Sequence, residues 1–79
     1  MKRAEILSQI IEIISVILDE NEIEINESTR LLDIDGWDSL SMIQIVVGIE
    51  KQFKIKFKSL EYNTWLLISD LIDAIESKQ

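Results

Sequence analysis

The chain has 79 residues, a net charge of −7 and no cysteine or histidine. So short a chain forms one small domain, residues 1–79, without room for a second core. The lack of cysteine excludes disulfides and thiolate metal sites. The acidic balance argues against nucleic acid, whose phosphates would repel the domain, and favours partners with basic surfaces. Because 47% of the residues are hydrophobic, a core can still form at this length.

The first predicted helix covers Lys2–Leu18, where isoleucines recur at helical spacing with polar residues between them. Glu5, Gln9 and Glu12 interrupt the apolar run, so it predicts neither a signal peptide nor a membrane span. We therefore expect a soluble, cytoplasmic chain, and the start at Met1 favours a free-standing protein. The apolar stripe consists of Ile6, Ile10, Ile13, Ile14 and Ile17.

The helical period disappears from Asp19 to Asp38, where the chain is polar with isolated apolar residues. A loop of this length in so small a domain is commonly functional. We expect its apolar residues to hold it against the core; they are Ile23, Ile25, Leu31, Leu32 and Ile34.

Two further helices are predicted, Ser39–Phe53 and Thr64–Ser77, the last with Asn63 or Thr64 as N-cap. The segment between them leaves room for a short helical turn, and whether that turn runs on into the last helix from Thr64 stays open. The fold class is all-α: a small bundle of three main helices, room for a short one, and a long loop between helices one and two. The last helix has the apolar stripe Leu67, Ile68, Leu71, Ile72 and Ile75, and the lysines of the preceding segment (Lys54, Lys56, Lys58) are expected to form a solvated edge.

The second helix has more apolar surface than one core needs. Met42, Ile45, Val46, Ile49 and Phe53 form a core stripe. A second stripe, displaced by roughly 120° on the helical wheel, is formed by Leu40, Ile43 and Val47. Either the bundle buries this helix on two sides, or the second stripe is an exposed patch for another protein. The wheel alone favours neither.

The stretch before this helix, "DIDGWDSL", allows three interpretations. A calcium loop fails, because counting from Asp33 or from Asp35 puts Trp37 at a ligand position and no glutamate at position 12. Asp38 stands where an N-cap belongs, so Ser39 would be the first helical residue. Backbone N–H groups without intrahelical partners converge there and could also donate hydrogen bonds to a phosphate. A plain cap is the commoner use of such residues.

"DGWDSLSMIQIVVGIEKQF" resembles the second-helix region of acyl carrier proteins, the carriers of phosphopantetheine. Asp38-Ser39-Leu40 is the centre of the likeness, "STRLLDIDGWDSL" is similar to the lead-in of that family, and "ISDLIDAIES" is similar to its last helix. The likeness covers nearly the whole chain. It implies that Ser39 carries phosphopantetheine, derived from coenzyme A, through a phosphodiester, and that Asp38 helps to present this serine.

The resemblance also implies the partners: a phosphopantetheinyl transferase, a ligase that loads acyl or aminoacyl groups, and downstream synthase or transferase enzymes. Of the two alternatives for the second apolar stripe, it favours an exposed patch for another protein. The expected product of loading is a thioester on the arm, carried by a monomer. The chain itself has no base–nucleophile pair, so we expect a carrier and not an enzyme. The implied partner-binding residues are Leu40, Ile43, Val47, Asp35 and Glu50.

Four positions depart from the housekeeping fatty acid carriers. Ser41 and Gln44 stand where those carriers tend to have carboxylates, Lys51 follows Glu50, and Trp37 is more typical of carriers in specialised pathways. This favours polyketide, nonribosomal peptide or related biosynthesis. The alternative from another class is a helical protein-interaction module that uses the Leu40, Ile43 and Val47 face without a prosthetic arm.

Overall fold

The computed structural model describes residues 2–20 and 23–79. The helices in these residues are α1 (Arg3–Leu18), α2 (Ser39–Phe53), α3 (Ser59–Tyr62) and α4 (Ile68–Lys78), with a 3₁₀ turn at Leu31–Asp33. The described residues contain no β-strand, only one isolated β-bridge between Arg30 and Leu67. The all-α prediction is confirmed. None of the helices described is long and apolar enough to cross a bilayer.

The predicted bounds of the first two helices agree closely with the structure. α2 has the bounds that the sequence predicts, and α1 begins one residue later than predicted because Lys2 is its N-cap. The short helical turn is present as α3. The predicted loop 19–38 includes Asn21 and Glu22, which lie outside the described residues.

The core is built of isoleucine and leucine from α1, α2 and α4. The side chains that are completely buried are Ile6, Ile10, Ile14, Ile45, Ile49, Ile68, Leu71, Ile72 and Ile75. Burial of each such side chain stabilises the fold by about 1.5–3 kcal/mol relative to leaving it exposed. α1 and α2 pack closely at Gly48, where a Cβ atom would lie 2.9 Å from Ile13 Cγ2. A glycine therefore fits this crossing and a larger residue would push the helices apart.

Most of the isolated apolar residues of the long loop hold it to the core, as predicted. Ile25, Leu31 and Ile34 are buried, and Ile23 is half-buried. The prediction is wrong for Leu32, which is 76% exposed. Residues three apart share one side of a 3₁₀ turn, so Leu31 and Ile34 face the core together while the residue between them points away.

The predicted start of the last helix is also wrong. α4 begins at Ile68, not Thr64, with Leu67 in the N-cap position, and it ends one residue beyond Ser77. Residues 64–67 leave the helical path because the Leu66 carbonyl accepts a hydrogen bond from Leu31 N (3.0 Å). α3 and α4 are therefore separate helices.

The start of α1 is tied to the loop and to α4 by one arginine. The Arg3 guanidinium donates hydrogen bonds to the carboxylates of Glu27, Asp73 and Glu76. Hydrogen bonds to Glu27 and Asp73, with a smaller one to Glu76, raise the pKa of Arg3 above its ordinary value. These contacts join three segments distant in sequence, on the side of the core formed by α1 and α4.

Candidate functional site at the start of α2

A tight turn positions the start of α2. Gly36 has φ of +87°, which only glycine adopts readily. The Trp37 N–H donates to the Ile34 carbonyl over 3.1 Å, and the Ser41 hydroxyl donates to the Gly36 carbonyl over 3.0 Å. The turn is thus held from both sides, and it directs the chain into α2 at a defined angle.

Asp38 is the N-cap of α2, as predicted. Its backbone is extended (φ −145°, ψ −176°), and its carboxylate accepts a hydrogen bond from Ser41 N over 2.8 Å. Hydrogen bonds from the Ser41 backbone and then from the Ser41 side chain lower the pKa of Asp38 below its ordinary value. The carboxylate is therefore ionised at neutral pH and stabilises the positive end of the helix dipole.

Ser39 is the first residue of α2, and its side chain is exposed. The Asp38 cap reaches Ser41 N, and the first intrahelical bond joins Met42 N to the Asp38 carbonyl (2.9 Å). Ser39 N donates no hydrogen bond to any of the described residues. A phosphate ester on Ser39 would meet a free N–H and the positive end of α2, so the residues here fit a phosphate group.

An open groove of about 640 Å³ begins beside Ser39 and is mostly apolar. Its floor is the α2 residue Met42, and its far wall comes from the segment between α3 and α4. Trp65 is only 9% exposed and packs edge-on against Phe57, with ring centroids 5.0 Å apart. The aromatic side chains that line the groove are Trp37, Tyr62 and Trp65.

These groove residues are not singled out by the sequence patterns, apart from Trp37. One sequence signal could have pointed to them: the segment "YNTWLL" is rich in apolar residues although it precedes α4, which begins at Ile68. Leu66 in this segment is 70% exposed although it lines the groove with Ser39. An exposed leucine beside a candidate attachment site indicates a surface that another group covers.

The second apolar stripe of α2 is exposed. Leu40 is 65% exposed, Ile43 50% and Val47 41%, whereas Ile45 and Ile49 on the opposite side are completely buried. The bundle therefore does not bury α2 on two sides, and of the two alternatives the exposed patch is the one present. Ile45, Val46, Ile49 and Phe53 of the core stripe are buried, and Met42 is half-buried.

The two carboxylates predicted beside this patch lie at opposite ends of α2. Asp35 is exposed in the turn before the helix. Glu50 is half-buried on its last turns, and its carboxylate accepts a hydrogen bond from Phe57 N over 2.7 Å. About 11 residues of helix separate Ser39 from Glu50, roughly 16 Å. The structure does not bring Asp35 and Glu50 together, and Glu50 holds the segment after α2 in place.

A small helical bundle that presents one serine at a helix start, beside an apolar groove and an apolar helix face, is the architecture of a carrier domain. A family model described as "Phosphopantetheine attachment site" matches residues 8–75. The chain belongs to the acyl carrier protein family.

Relatives and a solved structure agree with that assignment. The chain is similar to an acyl carrier protein from Thermotoga maritima, with 32% identity over 76 residues that cover 96% of this chain and 94% of the relative. An acyl carrier protein from Borreliella burgdorferi is 29% identical over 79 residues, covering 100% of this chain and 99% of the relative. The solution NMR structure of a holo acyl carrier protein from Geobacter metallireducens superposes with a TM-score of 0.82 and 33% identity, covering 91% of this chain and 83% of that one.

Three predictions are confirmed at this level. The chain has the acyl carrier fold, its prosthetic group is phosphopantetheine, and it is a carrier that catalyses no reaction itself. The curated relatives are named simply acyl carrier protein, a name that specifies no pathway.

Proposed function

We propose that Ser39 carries the phosphopantetheine arm and that the chain shuttles an acyl or aminoacyl thioester between enzymes. The observation that carries this proposal is the geometry of the α2 start: an exposed Ser39 hydroxyl, a backbone N–H without an acceptor in the described residues, and an adjoining groove. A phosphodiester at this position gains from the helix dipole.

Attachment requires a separate transferase. In the balanced reaction, a bond forms between Ser39 Oγ and the phosphorus of the phosphopantetheine moiety, and the phosphoanhydride bond of coenzyme A breaks. The nucleotide phosphate leaves, and the serine proton passes to a base. This chain contains no histidine or cysteine, and Asp38 is already engaged as the N-cap. The base is therefore expected on the transferase, with Asp38 helping to present the serine.

The groove is the expected resting place of the arm and its acyl group. It starts at Ser39 and is lined by Met42 and the aromatic side chains, so an apolar chain lying there would lose contact with water. Trp37 and Trp65 would report this directly, because an indole next to the bound chain changes its fluorescence.

The exposed face of α2 is the expected docking surface for the transferase, the loading ligase and the downstream synthases. Leu40, Ile43 and Val47 are contiguous on the helix and begin next to the attachment serine. Docking there would place Ser39 against a partner's active site. Asp35 belongs to this surface through its position in the turn before α2, whereas Glu50 acts through the segment that it holds.

We assign the chain to a specialised pathway, loaded in the cytoplasm as a monomer. The support lies on α2: Ser41 is engaged by Asp38 and Gly36, and Gln44 is an exposed neutral residue, so neither supplies the carboxylate that a housekeeping partner would contact. We expect slower malonyl loading by a fatty acid malonyltransferase than by an acyl- or aminoacyl-ligase of a specialised pathway. Comparable or faster loading by the malonyltransferase would contradict this assignment.

The second candidate function is an interaction module without an arm, which the same exposed α2 patch supports. The two differ at Ser39, and intact-protein mass tests them. The chain is incubated with coenzyme A, Mg²⁺ and a broad-specificity phosphopantetheinyl transferase, beside Ser39→Ala. The matched control is Ser59→Ala, because Ser59 is also an exposed serine at the first position of a helix.

We expect wild type and Ser59→Ala to gain one phosphopantetheine each, and Ser39→Ala to gain none while unfolding at the wild-type temperature. No gain in folded wild type with several transferases would favour the interaction module. A gain in Ser39→Ala would show that the arm is attached elsewhere.

A further inference from the structure

Positive charge is concentrated at the far end of α2. Residues 51–58 contain four lysines and no acidic residue. Since the whole chain carries −7, the remaining residues carry −11. We call the side chains of Lys51, Lys54, Lys56 and Lys58 the basic edge. All four are exposed, so this charge is presented to solvent.

The segment that bears the basic edge is held in one place. After α2 ends at Phe53, Lys54 adopts a left-handed conformation (φ +57°) and the chain continues without helix to Lys58. Ile55 and Phe57 pack against the core. The lysines that alternate with them therefore point to solvent. Ile55 N donates to the Glu50 carbonyl and Phe57 N to the Glu50 carboxylate, over 3.1 and 2.7 Å. The edge is a fixed surface and not a flexible tail.

The four lysines of the basic edge make no ion pair within the described part of the chain, although the charge of Lys58 contributes to lowering the pKa of Glu61. The ion pairs found there are made by Arg3 and Lys78. The nearest acidic side chain on the following helix, Glu61, already accepts hydrogen bonds from Lys58 N and pairs with Lys78 Nζ. The four ammonium groups are therefore available to another molecule.

The first member of the basic edge, Lys51, lies on the exposed face of α2, and the other three follow directly after the helix. Steps of three and four residues lead from Leu40 through Ile43 and Val47 to Lys51, and such steps stay on one side of a helix. The apolar half of this face begins at Ser39, close to Asp35 and Asp38. The basic part begins at Lys51, about 18 Å further along the helix axis at about 1.5 Å per residue. The face thus has an acidic end, an apolar middle and a basic end.

We propose that the basic edge docks on an acidic patch of a partner protein while the partner's apolar surface covers Leu40, Ile43 and Val47. This rests on the proposed function, in which the α2 face is the docking surface. Because opposite charges stand at the two ends of the face, the partner is bound in one direction along α2, with its acidic patch remote from Ser39. A protein is the proposed occupant because the surface next to the basic edge is apolar: Leu40, Ile43 and Val47 are exposed and need an apolar partner surface, which the phosphate backbone of nucleic acid lacks.

The test is a titration of the ¹⁵N-labelled chain with two synthetic helical peptides, followed by NMR. Both peptides have the same apolar stripe; one ends in four glutamates and the other in four lysines. At low ionic strength we expect the glutamate peptide to bind about tenfold more tightly, from several exposed pairs of a few tenths of a kcal/mol each. Shifts should cover 40–58, and high salt should remove the preference.

Two variants of equal net charge separate local from global electrostatics. Lys54→Gln with Lys56→Gln, and Lys2→Glu alone, both change the net charge from −7 to −9. We expect the double variant to reduce the tenfold preference to about threefold, since half of the edge charge is gone. Lys2→Glu, at the start of α1, should retain it. Equal loss in both variants would overturn the proposal, as would equal binding of the two peptides.

The last part of the experiment is a titration with vesicles of phosphatidylglycerol. Shifts at 51–58 with vesicles but none with the glutamate peptide would overturn the proposal in favour of a lipid surface. Phosphopantetheine attachment to the wild-type chain is measured separately by mass. A failure of attachment in wild type would contradict the proposed function alone, because the titration uses the unmodified chain.

Discussion

α2 and α4 begin in different ways, although an aspartate carboxylate accepts hydrogen bonds from backbone N–H groups at the start of each. At α4 the carboxylate of Asp70, on the first turn, accepts from both Leu66 N and Leu67 N (2.8 and 2.9 Å). The next two amides, Ile68 N and Ser69 N, donate to carbonyls of the long loop over 3.0 Å each. At α2 the Asp38 carboxylate accepts from Ser41 N, and Ser39 N has no acceptor in the described residues.

This difference separates a structural helix start from a functional one. The amides of α4 are used to join the helix to the loop, and Ile68 is completely buried beside them. At α2 the turn around Gly36 is equally well held, but the first residues, Ser39 and Leu40, face solvent. A buried helix end must satisfy its amides internally, whereas an exposed end can keep one for a ligand.

The largest expected effect on stability comes from the apolar residue at each start. Ile68→Ala removes a completely buried side chain and should lower the free energy of unfolding by about 2–5 kcal/mol. Leu40→Ala, at a side chain that is 65% exposed, should change it by less than about 0.5 kcal/mol. Urea unfolding followed by circular dichroism measures both. Equal losses would mean that the start of α2 is packed as tightly as that of α4.

A smaller effect is expected at the caps. Asp70→Ala leaves two amides without their acceptor and should cost about 1–2 kcal/mol. Asp38→Ala should cost less, because one amide loses its acceptor in an exposed position. Asp33→Ala, an exposed aspartate in the 3₁₀ turn, is the control and should leave the unfolding midpoint unchanged. A larger loss at Asp38 than at Asp70 would reverse the comparison.

The smallest effect is a pH dependence at α2. The pKa of Asp38 is lowered from its ordinary value of 3.8, so the folded state binds the proton more weakly than the unfolded state. The resulting stabilisation is complete above the ordinary pKa and is lost as the pH falls through the lower, folded-state pKa. Asn caps helices about as well as Asp, so Asp38→Asn should reduce the loss of thermal stability between about pH 6 and about pH 3.

The pKa of Glu61 is lowered as well, by its hydrogen bonds to Lys58 N and Lys78. It contributes to the acid sensitivity of wild type with the same sign, so Asp38→Asn should remove only part of it. An acid response identical to that of wild type would contradict the role given to the Asp38 carboxylate.

The same contrast explains what the sequence predicts well. α2 is predicted with correct bounds because its signals are local: an aspartate cap and two apolar stripes on the helical wheel. The exposed patch of Leu40, Ile43 and Val47 follows from the same wheel once one stripe is assigned to the core. The assignment of the attachment serine needs the family resemblance in addition, since a cap and a phosphate site look alike in sequence.

The start of α4 is missed because it depends on the long loop. Thr64 is followed by residues that suit a helix, but the hydrogen bond from Leu31 N to the Leu66 carbonyl holds the chain extended there. The groove is missed for the same reason, because Tyr62, Trp65 and Leu66 line it only when 64–67 leave the helical path. Pairing between segments more than thirty residues apart has no local signature.

The most direct test of the account is to locate the prosthetic group in the modified wild-type chain by tandem mass spectrometry. Ser39, Ser59 and Ser69 all lie in the first turn of a helix, but only Ser39 combines exposure, a free N–H within the described residues and a neighbouring groove. The account predicts one phosphopantetheine, on the fragment that contains Ser39. The group on Ser59 or Ser69 would contradict it.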